Sequence, residues 1–314
     1  MNSEINQEEN TLLLLGGSSF LGLQTAQTLF YNYNIICTYN QSIAPKFFPE
    51  FNWLQLNFLE NEDFIKLNLN RLIEKTTATY LVNFVGISSP LQSKIDSKKS
   101  LILNESINSV ITKVCEETDT IPIFISSDHV FDGQNGPYSE KDLPNPLKHS
   151  IYGQQKYHSE QLYQELENYA IIRISTTLGL NFRFQNQNIY EKTVLNMSKG
   201  KIVQGASNKI RTATHCYNVP FVINKIIESF EEKSIEKGIF HVPGFLISEY
   251  QLLKRIAGTH NFDVSLIEET TIDDDNESYP LKLGLKSDQT VETLKGKFLT
   301  FEEGLSLLNF EYKN

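Results

Sequence analysis

The sequence predicts an α/β fold in which a doubly wound parallel sheet carries a smaller, interleaved C-terminal lobe. Short runs rich in Ile, Val and Leu alternate with amphipathic segments, which is typical of right-handed βαβ units. The runs are apolar throughout, as expected for parallel strands buried on both faces. They are residues 12–15, 35–38, 53–56, 80–85, 121–126 and 170–175.

The pattern of the second half of the sequence predicts how the sheet domain and the C-terminal lobe interleave. After about residue 179 the alternation loosens into polar segments such as NFRFQNQN, and it resumes with a helix at 219–230 and a strand at 238–241. We assign residues 1–180 and 215–243 to a dinucleotide-binding domain, and residues 181–214 and 244–314 to a substrate lobe. Near the end, Thr300 stands three residues before Glu303, a capping box that predicts a final helix.

Composition argues against several classes of protein. A chain of 314 residues with 40% hydrophobic content can bury a large core. Its net charge of −10, without a basic stripe, argues against a nucleic-acid partner. Cys37, Cys115 and Cys216 lack disulfide or CxxC spacing, which favours reduced thiols. We expect a cytoplasmic protein with no membrane partner, because the first residues are polar and acidic and no apolar run is long enough to span a bilayer.

Residues 12–22, LLLLGGSSFLG, predict a phosphate-binding turn between a strand and a helix. Gly16 allows the tight turn, N–H groups at the helix start meet a pyrophosphate, and Gly22 lets the helix approach the strand. Ser19 stands where a glycine is usual, and its Cβ is acceptable only if the backbone keeps an ordinary φ. The candidate cofactor contacts of the turn are Gly16, Ser18, Ser19, Phe20, Leu21 and Gly22.

The end of the second strand favours NADP(H) over NAD(H). A carboxylate at this place usually binds the ribose hydroxyls of NAD, but residues 37–42 read CTYNQS and no acid follows until Glu50. Lys46 is a candidate phosphate partner, although a solvated surface lysine would look the same. Asn40 and Asn57 are included among the candidate cofactor contacts.

Three polar residues predict a ketone-reducing site. Tyr152 and Lys156 are four residues apart at the start of an amphipathic helix and share one face. An ammonium near a phenol favours the phenolate and brings the tyrosine pKa towards the working range. Ser127, beside Ser126 at a strand end, can bond a substrate carbonyl. The candidate catalytic residues are therefore Ser127, Tyr152 and Lys156, and their chain order after the glycine turn makes chance occurrence of the tyrosine–lysine pair a poor explanation.

These motifs resemble the extended short-chain dehydrogenase/reductases, and within them the dTDP-4-dehydrorhamnose reductase family. The similarity is most specific in SSDHVFDG at 126–133 and YGQQK at 152–156, and it spans nearly the whole chain. Looser matches are PYSE at 137–140, Asn104, IIRIS at 171–175, GIFH at 238–241, Tyr279 with Pro280, and LKSD at 285–288.

The resemblance implies NAD(P)H-dependent reduction of a nucleotide-activated 4-keto-6-deoxy sugar. Tyr152 would donate the proton, Lys156 would hold the ribose and lower the tyrosine pKa, and Ser127 would replace the usual threonine. It also implies further cofactor contacts at Val85, Gly86 and Ile125. Candidate substrate contacts are Ser127, Asp128, His129, Ser175, Thr176 and Arg211. The chain departs from the family pattern at Ser19, at His129 in place of tyrosine and at Thr176 in place of tryptophan.

Two alternatives stay open. Epimerases and dehydratases use the same three residues, but dehydratases usually add an acidic pair, whereas only Asp128 follows the serines here. The group also includes a regulatory subunit of methionine adenosyltransferase, which binds NADP without a known need for turnover. The intact Ser127, Tyr152 and Lys156 favour an enzyme. A homodimer is allowed but not specified by these motifs.

Other polar groups are weaker candidates. The six histidines lack paired metal-ligand spacing, so no metal site is predicted. His215 in RTATHCYN merits attention as a substrate-side residue, although a structural role is favoured. Lys209 and Arg211 are candidates for a nucleotide diphosphate. Residues 272–277 are acidic but lack the glycine and glutamate spacing of a calcium loop.

Overall fold

Seven parallel strands form the central sheet of the computed structural model, which describes residues 10–42, 44–181, 188–273 and 280–313. They are β1 Thr11–Leu15, β2 Asn34–Tyr39, β3 Asn52–Gln55, β4 Ala78–Asn83, β5 Ile121–Ser127, β6 Tyr169–Ile174 and β10 Lys237–His241. The order is β10-β6-β5-β4-β1-β2-β3. Because the order reverses direction between β1 and β4, the sheet is doubly wound, which confirms the predicted fold class.

The tetra-leucine strand β1 shows why the sheet is buried on both faces. Leu12 and Leu14 pack into one hydrophobic core with the helices that begin at Phe20 and Asn218. Leu13 and Leu15 pack into another core with the helices that begin at Glu62 and Ile107. Successive side chains of a strand point to opposite faces, so an uninterrupted apolar run serves both cores. The helices around the sheet are α1 Phe20–Leu29, α2 Ala44–Phe47, α3 Glu62–Thr76, α4 Pro90–Ile95, α5 Ser97–Leu101, α6 Ile107–Thr118, α7 Ile151–Gln164, α9 Asn218–Glu231 and α11 Asp288–Leu294.

A second group of elements builds a smaller lobe with its own core. Its strands are β7 Thr176–Leu178, β8 Val203–Ala206, β9 Ile210–His215, β11 Phe245–Ser248 and β12 Ile267–Thr270, and its helices are α8 Ile189–Met197, α10 Glu249–His260 and α12 Phe301–Lys313. Strand β9 lies between β7 and β11, and β8 pairs with β12. Between β9 and β11 the chain returns to the large sheet through α9 and β10. The capping box before α12 is confirmed. The Thr300 hydroxyl donates to the Glu303 carboxylate, and the Thr300 oxygen accepts the N–H of Glu303.

The carboxyl ends of the central strands face the lobe. Strands β5 and β6 end at Ser127 and Ile174, and the chain passes directly from β6 into β7. Ligands of doubly wound proteins bind at this edge, near the point where the strand order reverses. Within the described ranges, no helix combines the length and apolarity that crossing a bilayer requires.

Candidate active site

The glycine turn packs tightly between β1, β2 and α1. Gly16 has φ +69°, a conformation that favours glycine, and its N–H donates to Thr38 Oγ1 at 2.9 Å. A Cβ on Gly22 would lie 2.6 Å from the Gly16 carbonyl oxygen. The close approach of helix to strand therefore depends on these two glycines.

Ser19 fits the turn without strain. Its backbone has φ −75° and ψ 168°, and its Oγ accepts a hydrogen bond from the N–H of Gly22 at 3.2 Å. It is thus the N-cap of α1, a position where serine is strongly preferred. The serine that departs from the glycine pattern supplies a helix cap.

Replacing Ser19 by Ala should destabilise the protein by about 1 kcal/mol, because the N–H of Gly22 loses the Ser19 hydroxyl as its acceptor. Ser19→Gly should lower stability by only a few tenths of about 1 kcal/mol, since water then reaches the same N–H. Urea unfolding of the three proteins without cofactor measures the difference. Equal stability of the alanine variant and the wild type would show that the cap contributes nothing.

Two adjoining cavities open at the carboxyl edge of the sheet. The first, which we call the turn-side cavity, has a volume of about 290 Å³ and is lined by Ser19, Phe20 and Leu21 together with residues of β5, α7 and the loop after β4. The second, the lobe-side cavity, has about 450 Å³ and is lined by Ser127, Asp128 and residues of the smaller lobe. Six residues line both cavities: Ser88, Tyr152, Ile174, Ser175, Thr177 and Asn188. Tyr152 therefore stands at the junction of the two.

Tyr152 is buried and is a phenol at neutral pH. Burial raises the pKa of Tyr152 to about 12, the neighbouring Ser127 hydroxyl opposes the rise, and the Asp128 charge adds to it. The direction is opposite to the lowering expected from a neighbouring ammonium. A protonated phenol is the form that a proton donor needs.

Lys156 lies one turn further along α7, on the turn-side cavity. Its Nζ donates to the carbonyl of Ile125 at 2.9 Å and lies 4.6 Å from the centre of the Phe124 ring. Burial lowers the pKa of Lys156 to about 8, and the negative charge of Glu160 opposes that shift. The ammonium is thus held in place by a carbonyl and an aromatic face, and its charge is supported from within the same helix.

A fully buried ion pair lies behind the lysine. Glu160 accepts two hydrogen bonds from the Arg173 guanidinium, at 2.9 and 2.7 Å, and a third from Ser126 Oγ at 2.6 Å. Neither side chain is exposed to solvent. Such a geometry satisfies the carboxylate and joins β5, β6 and α7 directly beneath the site.

Asp128 is the acid nearest to Ser127. It accepts a hydrogen bond from Ser127 Oγ on Oδ1 at 3.1 Å and from Ser175 Oγ on Oδ2 at 2.5 Å. Arg211 Nε lies 3.9 Å from Oδ2. The Arg211 guanidinium also donates to three backbone carbonyls, those of Ile210, Pro280 and Leu281.

The predicted cofactor residues fall into three groups. Eight line the turn-side cavity: Ser19, Phe20, Leu21, Val85, Gly86, Ile125, Tyr152 and Lys156. Three others, Gly16, Ser18 and Gly22, belong to the glycine turn and do not line the turn-side cavity. Asn40 and Asn57 lie beyond the ends of β2 and β3 and hydrogen-bond each other at 3.2 Å, outside the lining of this cavity.

All six predicted substrate residues line the lobe-side cavity, namely Ser127, Asp128, His129, Ser175, Thr176 and Arg211. The His129 ring stands edge-on to Tyr152, with centroids 5.4 Å apart. Burial lowers the pKa of His129 to about 4, so its imidazole is neutral at physiological pH. Lys209 also lines this cavity and donates to Glu249 at 2.7 Å.

Sequence reasoning missed several residues that line the cavities: Ser88, Pro90, Thr177, Asn188, Ile189, Lys192, Ile247, Glu249 and Leu252. One signal was available. Asn188 and Glu191 form a capping box at the start of α8, and their spacing in the sequence would have predicted the start of the helix that carries Lys192.

The loop after β4 is fixed by Asn104. Gly86 has φ +156°, and a Cβ on it would lie 2.7 Å from Asn104 Oδ1. That oxygen accepts the N–H of Ile87 at 2.7 Å. Asn104 itself lies in a π-helical turn, Ile102–Ser106, a distortion frequent at functional sites. The asparagine named from the sequence thus shapes the wall of the turn-side cavity.

The weaker candidates lie elsewhere. His215 is buried with a pKa lowered to about 4 by burial, accepts the N–H of Tyr217, and lines neither of the two cavities. Of the acidic segment 272–277, residues 274–277 lie outside the described residues. Among the residues that are described, no group of three His, Cys, Asp or Glu side chains is arranged to hold a metal ion.

Comparison with protein families decides the relationship. The family model described as "RmlD substrate binding domain" matches residues 10–307. The chain belongs to this family. The predicted resemblance to dTDP-4-dehydrorhamnose reductases is thereby confirmed.

Curated relatives of the chain carry another name. Methionine adenosyltransferase 2 subunit beta of Mus musculus is 26% identical over 281 residues, which are 85% of this chain and 77% of the relative. The protein of the same name from Bos taurus is also 26% identical, over 280 residues with the same coverage.

Solved structures share the fold at low sequence identity. A dTDP-4-dehydrorhamnose reductase from Bacillus anthracis in complex with NADP has a TM-score of 0.79 at 18% identity and covers 96% of this chain and 99% of its own. A UDP-glucose 4-epimerase from Thermotoga maritima with UDP-glucose has a TM-score of 0.79 at 19% identity, with 96% and 98% covered. A protein named as a reductase and a protein named as an epimerase thus share this fold.

Proposed function

We propose that this protein reduces the ketone of a nucleotide-activated 4-keto-6-deoxy sugar, with Tyr152 as proton donor and Ser127 and Lys156 assisting. The position of Tyr152 carries the proposal. Its ring borders both cavities, so its hydroxyl can reach a carbonyl in the lobe-side cavity next to a cofactor in the turn-side cavity. A phenol there donates its proton to the oxygen as the carbonyl is reduced.

The turn-side cavity has residues suited to the pyrophosphate and the nicotinamide ribose of a dinucleotide, Ser19 to Leu21 and Lys156. When bound, a reduced nicotinamide supplies the hydride that a ketone carbon accepts. Free N–H groups at the start of α1 suit a pyrophosphate, and the Lys156 ammonium suits the ribose hydroxyls. We propose NADP(H) over NAD(H), because the polar pair beyond β2 and β3 is Asn40 with Asn57, two amides in place of a carboxylate.

The lobe-side cavity suits a sugar with an attached diphosphate. Asp128, Ser175 and Ser127 offer hydroxyl-binding groups on one wall, and Lys192, Lys209 and Arg211 add positive charge. The two acids that line the cavity are Asp128 and Glu249, and Glu249 is paired with Lys209. A second acid beside Asp128, as dehydratases use, is not among these lining residues, which favours reduction.

Affinity for NADPH should fall as pH rises through about 8, the value to which burial lowers the pKa of Lys156. Below that pH the side chain is a cation that attracts the anionic cofactor, and above it the neutral amine prevails. In Lys156→Met this fall should disappear, and binding across the range should stay as weak as that of the wild type at high pH. Fluorescence titration of NADPH from pH 7 to pH 9 makes the measurement, and an unchanged pH dependence in the variant would assign the titration to another group.

Oxidation of NADPH in the presence of a panel of nucleotide 4-keto-6-deoxy sugars tests the function. We expect turnover with at least one dTDP- or UDP-linked ketone, and faster turnover with NADPH than with NADH. A wild-type protein that binds NADPH but reduces none of these ketones would contradict the proposal.

The second candidate is a regulatory subunit that binds NADP. It is favoured by the name of the relatives, methionine adenosyltransferase 2 subunit beta, at 26% identity. Copurification with a methionine adenosyltransferase, with no ketone-dependent NADPH oxidation, would support it. An epimerase is the third reading, and it would return the cofactor unchanged after converting a sugar into its stereoisomer.

A further inference from the structure

We propose that the lobe-side cavity selects ketones that carry a hydroxyl on the neighbouring carbon, and that Asp128 is the residue that reads this hydroxyl. The inference rests on the proposed function, since it specifies the ketone that Tyr152 and Ser127 would receive. It follows from the hydrogen bonds that Asp128 makes and from those that it must give up when a substrate enters.

The two oxygens of Asp128 are held differently. Oδ2 accepts a short hydrogen bond of 2.5 Å from Ser175 Oγ and faces Arg211 Nε at 3.9 Å. Oδ1 accepts a bond of 3.1 Å from Ser127 Oγ, which is long for a hydroxyl donor. The carboxylate is therefore anchored through Oδ2, and the weaker bond of Oδ1 is the one that can be exchanged.

The Ser127 hydroxyl has one proton and two possible acceptors, Asp128 and a substrate carbonyl. A carboxylate can only accept, so the Ser127 hydroxyl donates its single proton to Asp128. To donate to a substrate carbonyl beside Tyr152, Ser127 must turn that proton away. Asp128 Oδ1, on a side chain only 4% exposed, then loses a hydrogen bond. A buried charged acceptor left without a donor costs free energy.

A hydroxyl next to the ketone restores the lost bond. Ser127 Oγ and Asp128 Oδ1 are 3.1 Å apart, close to the separation of the two oxygens in an α-hydroxyketone. The carbonyl oxygen can therefore meet the donors Ser127 and Tyr152 while the neighbouring hydroxyl donates to Oδ1. A ketone without that hydroxyl leaves Oδ1 short of a donor, and an α-keto acid places a second negative charge against it.

The same geometry predicts what the isosteric amide does. In Asp128→Asn the donors Ser175 and Arg211 both face the δ2 position, so the amide oxygen belongs there and the NH2 group faces Ser127. An NH2 group does not require a donor from the substrate. Selection for the hydroxyl should therefore be lost in this variant, even where the ketone is still reduced.

The test compares two dTDP-linked 4-keto-6-deoxy hexoses that differ only in the presence or absence of the C3 hydroxyl. Each is assayed by NADPH oxidation. The wild type should prefer the hydroxylated ketone by about 10- to 100-fold in kcat/KM, the range expected for a hydrogen bond to a charged group. In Asp128→Asn the ratio should fall to within about threefold of unity.

A matched control is Asp142→Asn. Asp142 also accepts a serine hydroxyl, that of Ser139 at 2.9 Å, but it lies on the surface and lines neither of the two cavities. The ratio should be that of the wild type in this variant. Equal kcat/KM for the two ketones in the wild type would overturn the inference while leaving the reductase proposal intact, and so would an unchanged ratio in Asp128→Asn. A wild type that reduces neither ketone nor any other on the panel would overturn both.

Discussion

Tyr152→Phe is expected to lower ketone-dependent NADPH oxidation by about 100-fold or more, the usual contribution of a general acid. The phenol is the group that borders both cavities, and burial keeps it protonated by raising its pKa to about 12. Removing one hydroxyl leaves the ring and its edge contact with His129 in place. NADPH binding should therefore change little while kcat falls.

Tyr157→Phe is the control for that result. Tyr157 lies on the same helix, one residue beyond Lys156, and its hydroxyl accepts a bond from Gln161 at the surface. Its loss should leave turnover unchanged. Full turnover in Tyr152→Phe would remove the phenol from the mechanism.

Arg173→Met should lower the free energy of unfolding by about 3–5 kcal/mol, because removing one partner of a buried ion pair strands the other charge. Glu160 has no solvent exposure and receives two of its hydrogen bonds from Arg173. Urea unfolding of the cofactor-free protein measures the loss. Of this pair, only the Glu160 charge opposes the lowering of the Lys156 pKa.

An exposed pair provides the comparison. Arg255 and Glu302 lie 3.2 Å apart with more than half of each side chain in solvent. Arg255→Met should change stability by less than about 1 kcal/mol. Similar losses in the two variants would mean that burial does not set the contribution of the Glu160–Arg173 pair.

The central sheet was predictable because its signals are local. Four successive leucines in β1 reach two cores, and this requires only that alternate side chains face opposite sides of a strand. The capping box at Thr300 and Glu303 is equally local. Strand β7, by contrast, is three residues long and exists through its pairing with β9, a contact that no local pattern of residues encodes.

Part of the candidate site was predictable for the same reason. Ser127, Tyr152 and Lys156 follow strand ends and a helix start, so their chain order indicated their chemistry. The pKa of Tyr152 was not predictable, because the direction of its shift depends on burial by distant parts of the chain. Arg211 gives a second example: its guanidinium is anchored by carbonyls 69 and 70 residues away, and its sequence context shows only a basic residue.

Hydride transfer itself tests the account most directly. NADPH deuterated at the transferred position should be oxidised by the wild-type protein with a nucleotide 4-keto-6-deoxy sugar, and mass spectrometry should find the deuterium on the former carbonyl carbon of the product. Tyr152→Phe should form this product at least about 100-fold more slowly. A wild-type protein that holds NADPH and leaves every ketone of the panel free of deuterium would contradict the reductase account and favour the binding role.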